Sequence, residues 1–125
     1  MSGKVALATP DRRLRRNVIF IIGNRNSLTL GLFEKDELIG LSIGSMIHWY
    51  TGTEYYIQEF CIKAEKQGKG IGTEFLKAVE QYIKNKQITH IFLQTERTVP
   101  AYNFYKKNDF VEMKDHVSFY KEFPH

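Results

Sequence analysis

The sequence predicts an α/β fold of the α+β kind: a mixed central sheet with antiparallel strands in its N-terminal half, a parallel pair joined by a crossover helix, and a C-terminal hairpin. Three observations carry this. An apolar strand pattern over residues 55–63 runs into a turn with glycines at 68, 70 and 72. An amphipathic helix starts at once, with Ile71, Phe75, Leu76, Val79, Tyr82 and Ile83 at helical spacing and Glu74, Lys77, Glu80, Lys84 and Lys86 largely on the other side. Residues 88–94 then form the nearly continuous apolar run of a strand covered on both faces. Strand, helix, strand makes a right-handed crossover, so these two strands should be parallel.

The other elements follow in order. Residues 1–16 carry few apolar side chains and read as a loose arm or short helix. Val18 to Ile22 is a short apolar run, a strand or the end of a buried helix, broken by the cluster at 23–26. Leu28 to Phe33 and Leu38 to His48 read as an antiparallel hairpin around the polar turn 34–37, with Gly40 and Gly44 marking a bulge or a close backbone approach. Trp49 through Glu54 reads as a loop. In the strand that follows, alternation puts Tyr55, Ile57, Glu59 and Cys61 on one face and Tyr56, Gln58, Phe60 and Ile62 on the other, so an acidic side chain is set in an apolar row. The long helix should cover about 70–86. Thr98 is the expected N-cap of a second helix, with Pro100 in its first turn and Ala101, Phe104 and Tyr105 on its buried face; Asn108 ends it. Phe110 to Met113 and Val117 to Tyr120 are expected to pair around residues 114–116.

A chain of 125 residues suits one domain, 1–125, able to bury roughly two-thirds of its unfolded surface. The formal charge of +4 points to anionic partners, with the densest basic run at residues 12–16, and a polyphosphate ligand accounts for it as well as nucleic acid does. The single cysteine, Cys61, forbids an internal disulfide; neither a signal-peptide core nor an apolar run of membrane-spanning length is seen. A soluble, cytoplasmic protein with no membrane partner and no metal site is expected.

The glycine turn is where chemistry concentrates. Without Cβ atoms, Gly68, Gly70 and Gly72 let backbone N–H groups approach an anion, and the first turn of a helix leaves N–H groups unpaired with the positive end of its dipole behind them. Lys63, Lys66 and Lys69 add positive charge nearby. The blander reading is a tight strand-to-helix turn. A Walker loop is excluded because Gly70 follows Lys69, and a dinucleotide fingerprint because the spacing is Gly-x-Gly-x-Gly.

What remains, Gln67-x-x-Gly70-x-Gly72 between a strand and a long helix, resembles the acetyl-CoA pyrophosphate loop of the GNAT superfamily of N-acyltransferases. The run Ala101-Tyr-Asn-Phe104-Tyr105-Lys-Lys107-Asn-Asp-Phe110 resembles the same superfamily's Ala-x-x-Phe-Tyr-x-Lys-x-Gly-Phe segment, at the expected distance. The resemblance covers residues 28–121, with 1–27 as a shortened N-terminal region. It implies an acyl-CoA-dependent N-acetyltransferase that moves an acetyl group from acetyl-CoA directly to a primary amine in a ternary complex. Backbone N–H groups of Gln67, Gly68, Lys69, Gly70, Ile71, Gly72 and Thr73 would hold the pyrophosphate. The main chain of Phe60, Cys61 and Ile62 would pair with the pantetheine arm, and the strand holding Glu59 would splay from the strand near Ile88. Tyr105 matches the superfamily's proton donor to the departing thiolate. Its common Asn before the second helix, which implies a cofactor or catalytic hydrogen bond, falls at Thr98, a cofactor-binding candidate, and its Gly before the final Phe falls at Asp109.

For the base that takes a proton from the attacking ammonium, Glu59 is the first candidate and His48 its rival. Taken alone, Tyr105 is as well explained as a core aromatic, Glu59 as a side chain on a solvated face or a lysine partner, and Cys61 as a buried small hydrophobe. The superfamily normally has a strand and two helices before the hairpin, so the short N-terminus leaves the acceptor site open or calls for a second subunit, a homodimer, to complete it. Trp49, Tyr50, Glu54, Tyr55 and Glu96 are candidates for an acidic, aromatic mouth suited to a cationic amine, and the run from His48 to Tyr56 has a likeness to aminoglycoside 6'-acetyltransferase-like proteins. Aminoglycosides, polyamines and peptide N-termini all remain open as acceptors. The rivals are a non-catalytic acyl-CoA-binding regulatory module and a nucleic-acid binder using residues 12–16, disfavoured because no aromatic side chains interleave the basic run.

Overall fold

The computed structural model describes residues 6–7, 16–22 and 26–124. The chain divides into two compact units, residues 1–94 and 95–125. The first is a six-stranded sheet with a helix, its strands lying in the order in which they occur in the chain: β1 (Ala6–Leu7), β2 (Arg16–Ile22), β3 (Ser27–Glu34), β4 (Glu37–Trp49), β5 (Gly52–Ile62) and β6 (Ile88–Leu93). Neighbours from β1 to β5 are antiparallel and β5 with β6 is parallel, as the crossover argument requires. The apolar run at 18–22 is thus strand and not helix. Ala6–Leu7 is likewise strand, and the rest of the expected N-terminal arm lies outside the described residues, as does most of the basic run at 12–16. Among the described residues no helix precedes β3.

The helix α1 (Ile71–Lys84) buries Ile71, Phe75, Leu76, Val79 and Ile83, the stripe its periodicity forecasts. Most of that stripe joins Val18 of β2, Leu28, Leu30 and Leu32 of β3, Ile39 of β4, Tyr55 and Ile57 of β5 and Ile88 of β6 in one core. Strand β4 makes room with small residues. A Cβ on Gly40 would press on Ile62, Leu32 and Phe75, and one on Gly44 would stand 2.4 Å from the Tyr56 carbonyl oxygen and 2.5 Å from the Tyr55 ring. The Tyr55 ring is fully buried and its hydroxyl donates to the Leu28 carbonyl at 3.1 Å while sharing a 2.9 Å hydrogen bond with buried Ser42.

Three sequence expectations change. The hairpin joining β4 to β5 turns on Tyr50 and Thr51 alone instead of a six-residue loop, with Trp49 opposite Gly52 and Gly52 at φ 140°, outside the range a side chain tolerates well. The alternation of β5 breaks at Gln58. Ile43 faces Glu59 and Gly44 faces Ile57, so Gln58 is the extra residue of a β-bulge, and parity reverses after it. Tyr55 and Ile57 point into the core before the bulge, while Phe60 and Ile62 pack against it afterwards. Glu59 and Cys61 therefore turn outward and are exposed, not set in an apolar row.

The second unit holds α2 (Pro100–Lys107) and the chain to residue 124. Proline at the first helical position makes its predecessor the N-cap and holds it extended, at φ −103° and ψ 156°. The N-cap is thus Val99, which has no side-chain acceptor, and Thr98 lies one residue too early to cap. Asn108 ends the helix as expected, its Nδ2 donating to the Phe104 carbonyl at 2.8 Å. Asp109 follows at φ 72° in the left-handed region, its N–H reaching the Lys106 carbonyl and that of Phe110 reaching the Tyr105 carbonyl. This is a Schellman motif with an aspartate where glycine is usual, closed by the apolar contact between Tyr105 and Phe110. The expected closing hairpin does not form. Residues 114–115 turn and the His116 N–H reaches the Met113 carbonyl, but 110–113 and 117–120 have no strand ladder, and Val117, Phe119 and Tyr120 are exposed. β-branched and aromatic content favours strand only where a partner offers a ladder and a surface to bury against.

Candidate anion-binding and acyl-transfer site

Two features of the first unit meet at the end of β5. The parallel ladder with β6 stops at Ile57 opposite Leu93. Residues 58–62 of β5 keep β4 on one side and, among the described residues, have no strand on the other. This is the splay expected of the strand holding Glu59, and it starts at the bulge. Phe60 faces the helix, its ring stacked on Phe75 with centroids 5.1 Å apart.

A 3₁₀ turn (Ala64–Lys66) then leads into the glycine turn. Gly68 and Gly70 adopt φ 76° and 77°, left-handed values open to glycine without strain, and Gly70 is the N-cap of α1. A Cβ at either position would meet nothing within 4 Å, so these glycines serve backbone shape and leave the outside of the turn open. Gly72 differs from the expectation: it lies inside the first turn of α1 and is not at positive φ. The Glu74 N–H is the first in the helix to reach back, to the Gly70 carbonyl at 3.1 Å. Among the described residues no acceptor faces the backbone N–H groups from Gly68 to Thr73. They form a continuous run of donors at the positive end of a helix of 14 residues, and their only competition is solvent.

Gln67 plays a different part from the one its place in the motif gave it. Its N–H is taken by the Ala64 carbonyl at 3.2 Å and its side-chain amide donates to the Ile62 carbonyl at 2.8 Å, so it closes the turn instead of adding a donor. The lysines are also less free than expected. Lys63 is bound to Glu37 and Glu65, and Lys66 to Glu34; among the described residues only Lys69 of the three has no carboxylate partner. The sequence reading missed Glu34, Arg16 and Glu74, which surround the turn. No local pattern flags them, because their contacts join residues far apart in the chain.

The remaining candidates fall in both units. Cys61 is an exposed thiol, not a buried small hydrophobe; partial burial, then the nearby Glu59 charge, push its pKa up against the Leu41 amide, which lowers it. His48 is exposed at the end of β4 and bonds Thr53 Oγ1 through Nδ1 at 3.1 Å. Tyr55 belongs to the core, where burial raises its phenol to about 12. Glu54 is buried with its carboxylate 3.1 Å from His90 Nε2, whereas Trp49 and Tyr50 stand out in solvent. Glu96 lies in the second unit. Within the first unit, Trp49, Tyr50, Glu54 and Tyr55 do not gather into one acidic, aromatic mouth, because the tight turn at Tyr50 points its aromatics outward while strand parity points Tyr55 in. In the second unit Tyr105 is half-buried between the rings of Phe104 and Phe110, and that burial raises its phenol above the ordinary value. Thr98 is exposed in the turn before α2. No group of His, Cys, Asp and Glu suited to a metal ion occurs among the described residues, and no described helix is long and apolar enough to cross a membrane.

Comparison with known proteins bears on the fold and the family. A curated relative, an uncharacterised N-acetyltransferase named YobR from Bacillus subtilis (strain 168), is 27% identical over 86 residues, which are 68% of this chain; the chain spans 33% of that relative's length. The crystal structure of the aminoglycoside acetyltransferase meta-AAC0020 from an uncultured soil metagenomic sample, in complex with sisomicin, superposes with a TM-score of 0.72 at 18% identity, covering 82% of this chain and 70% of that one. That of AAC(6')-Iy in complex with the bisubstrate analog CoA-S-monomethyl-acetylneamine gives 0.66 at 16%, covering 81% and 72%. At such identities these structures speak for the fold. The acetyltransferase (GNAT) family matches residues 6–110, from the first strand through both helices and the turn after the second. The chain belongs to the acetyltransferase (GNAT) family.

Proposed function

We propose that the chain is an acyl-CoA-dependent N-acetyltransferase that moves an acetyl group from acetyl-CoA to a primary amine within a ternary complex. The observation that carries this reading is the run of N–H donors from Gly68 to Thr73 at the N-terminus of α1, which have no acceptor among the described residues and follow directly on the end of β5, beyond its ladder with β6. The donors, the dipole behind them and the open space outside Gly68 and Gly70 fit a pyrophosphate. The backbone of residues 60–62 offers an edge along which an amide-bearing pantetheine arm pairs as a strand does. Acetyl-CoA supplies the acyl group as an activated thioester; the chain's residues bind, orient and move protons.

In this reading Glu59 takes the proton of the attacking ammonium. It is exposed, so it does so through water and without help from burial. Tyr105 gives a proton to the departing sulfur. A phenol is protonated at neutral pH, the form a donor needs, and the burial of Tyr105 favours that form further. Thr98 stands where the family has an asparagine and contributes a hydroxyl in its place. A cationic amine is the favoured acceptor, supported by the aminoglycoside acetyltransferases among the similar structures. The test is calorimetric titration of the purified chain with acetyl-CoA, with dephospho-CoA and ATP as comparison ligands, followed by thiol release with cationic amines. One-to-one binding of acetyl-CoA with amine-dependent thiol release is expected. Binding without product from any amine favours a binding module, and no binding overturns the reading.

A further inference from the structure

The donor run is bracketed by two residues that belong to one ion relay. On its N-terminal side Lys66 gives Nζ to Glu34 Oε1 at 2.7 Å. On its C-terminal side Glu74, in the first turn of α1, holds Arg16 by two hydrogen bonds of 2.6 Å, from Nε to Oε2 and from Nη2 to Oε1. Arg16 closes the relay by giving Nη1 to Glu34 Oε2 at 2.9 Å. The relay thus reads Lys66, Glu34, Arg16, Glu74, and its two inner members sit on rigid neighbours. Arg16 opens β2, Glu34 ends β3, and the two face each other in the ladder. Glu34 is buried, with Lys66 at Oε1 and Arg16 at Oε2, so turning it away would strand charge.

Four alternating charges sum to zero, so the relay adds no net attraction for an anion. What it fixes is shape. Gly68 and Gly70 give the turn a wide conformational range, and six N–H groups from Gly68 to Thr73 aim at one ligand only if the two ends of the turn are held. We propose that Glu34 is a positioning residue for the anion-binding turn, holding both of its flanks from the end of β3. This inference rests on the acetyl-CoA reading above.

Glu34→Gln separates shape from charge because the two push affinity in opposite directions. It leaves Lys66 and Arg16 one charge less compensated, which draws an anion in, and it loosens the turn, which costs affinity. Calorimetric titration of the full chain with acetyl-CoA reads the sign, with melting temperature as the check on folding. Glu34→Gln is expected to raise Kd about tenfold, while Glu37→Gln, which breaks the Lys63 pair outside the relay, stays within about twofold. Affinity in a folded Glu34→Gln chain equal to or tighter than the parent's overturns the proposal. Should that buried substitution unfold the chain, Lys66→Gln and Glu74→Gln probe the relay from its less buried ends. Their combined effect on Kd is expected to fall well short of the product of the single effects, and a simple product overturns the relay. A parent chain that does not bind acetyl-CoA removes both this inference and the functional reading; a parent that binds alongside variants that bind equally well removes this inference alone.

Discussion

Residues 53–57 and 58–62 belong to the same strand, yet they live in different surroundings. The first five have β4 on one side and β6 on the other, and Tyr55 and Ile57 fill the core. Among the described residues the last five have β4 as their strand neighbour and lie beyond the ladder with β6, and they expose Glu59 and Cys61 while Phe60 and Ile62 pack against the core. One inserted residue, Gln58, makes the difference. A bulge costs a strand little, yet it reverses which face each later side chain occupies and ends the pairing with β6. The first half anchors the strand; the second half offers an edge beside the donor turn.

The sharpest way to break this division is to fill the space that the first half requires. Gly44→Ala places a methyl group against the Tyr56 carbonyl and the Tyr55 ring at distances that no flexible tip relieves. It should cost about 3 kcal/mol in urea unfolding, with the β4–β5 register disturbed at the bulge. A loss below half of that would mean that the bulge absorbs the strain.

Tyr55→Phe is milder. It removes the hydroxyl that serves the Leu28 carbonyl and Ser42 in a closed interior and should cost about 2 kcal/mol. It also carries a pH signature. Burial holds the Tyr55 phenol neutral up to about 12, against 10.0 in the unfolded chain. Stability from this group is whole below pH 10 and falls as pH rises toward 12, because the unfolded chain ionises first. Thermal melting between those pH values should fall less steeply in Tyr55→Phe than in the parent, and parallel slopes would count against the burial.

The smallest effect sharpens the second half. Glu59 raises the pKa of Cys61, after the larger contribution of burial. In Glu59→Gln, alkylation of Cys61 at neutral pH should run roughly twofold faster, with its pH midpoint moved down. An unchanged profile would mean that the Glu59 carboxylate does not act on the thiol, although both side chains turn outward after the bulge.

The parts of the fold legible in the sequence are those whose signal is local. The stripe from Ile71 to Ile83, the glycine turn and the polar turn at Lys35 and Asp36 each declare themselves within a few residues. The bulge left a signal that strict alternation overrode: the core side chains of β5 come at 55, 57, 60 and 62, with a step of three where a regular strand has two. Strand propensity at Val117 to Tyr120 forecasts a hairpin where the fold has no strand, because propensity alone does not specify a ladder. Of the candidate site, the donor turn was readable from its glycines, whereas the Glu34 relay was not. Its contacts span 18, 32 and 58 residues, and Arg16 looked like part of a basic arm until β2 carried it to Glu74.

The sheet's strand order, which matches the chain order from β1 to β6, also bears on how the molecule is made. During synthesis each antiparallel strand emerges next to a neighbour already present, so the first five assemble by successive short-range closures with little entropic cost per step. The sixth is different. Its place beside β5 becomes available only once α1 has crossed the sheet and docked its apolar stripe, so the parallel ladder is the one pairing that waits on a helix. A nascent chain whose residues from Ile71 onward have not yet emerged should therefore hold the antiparallel strands and leave the outer edge of β5 bare along its whole length, a state in which the donor turn has no helix behind it.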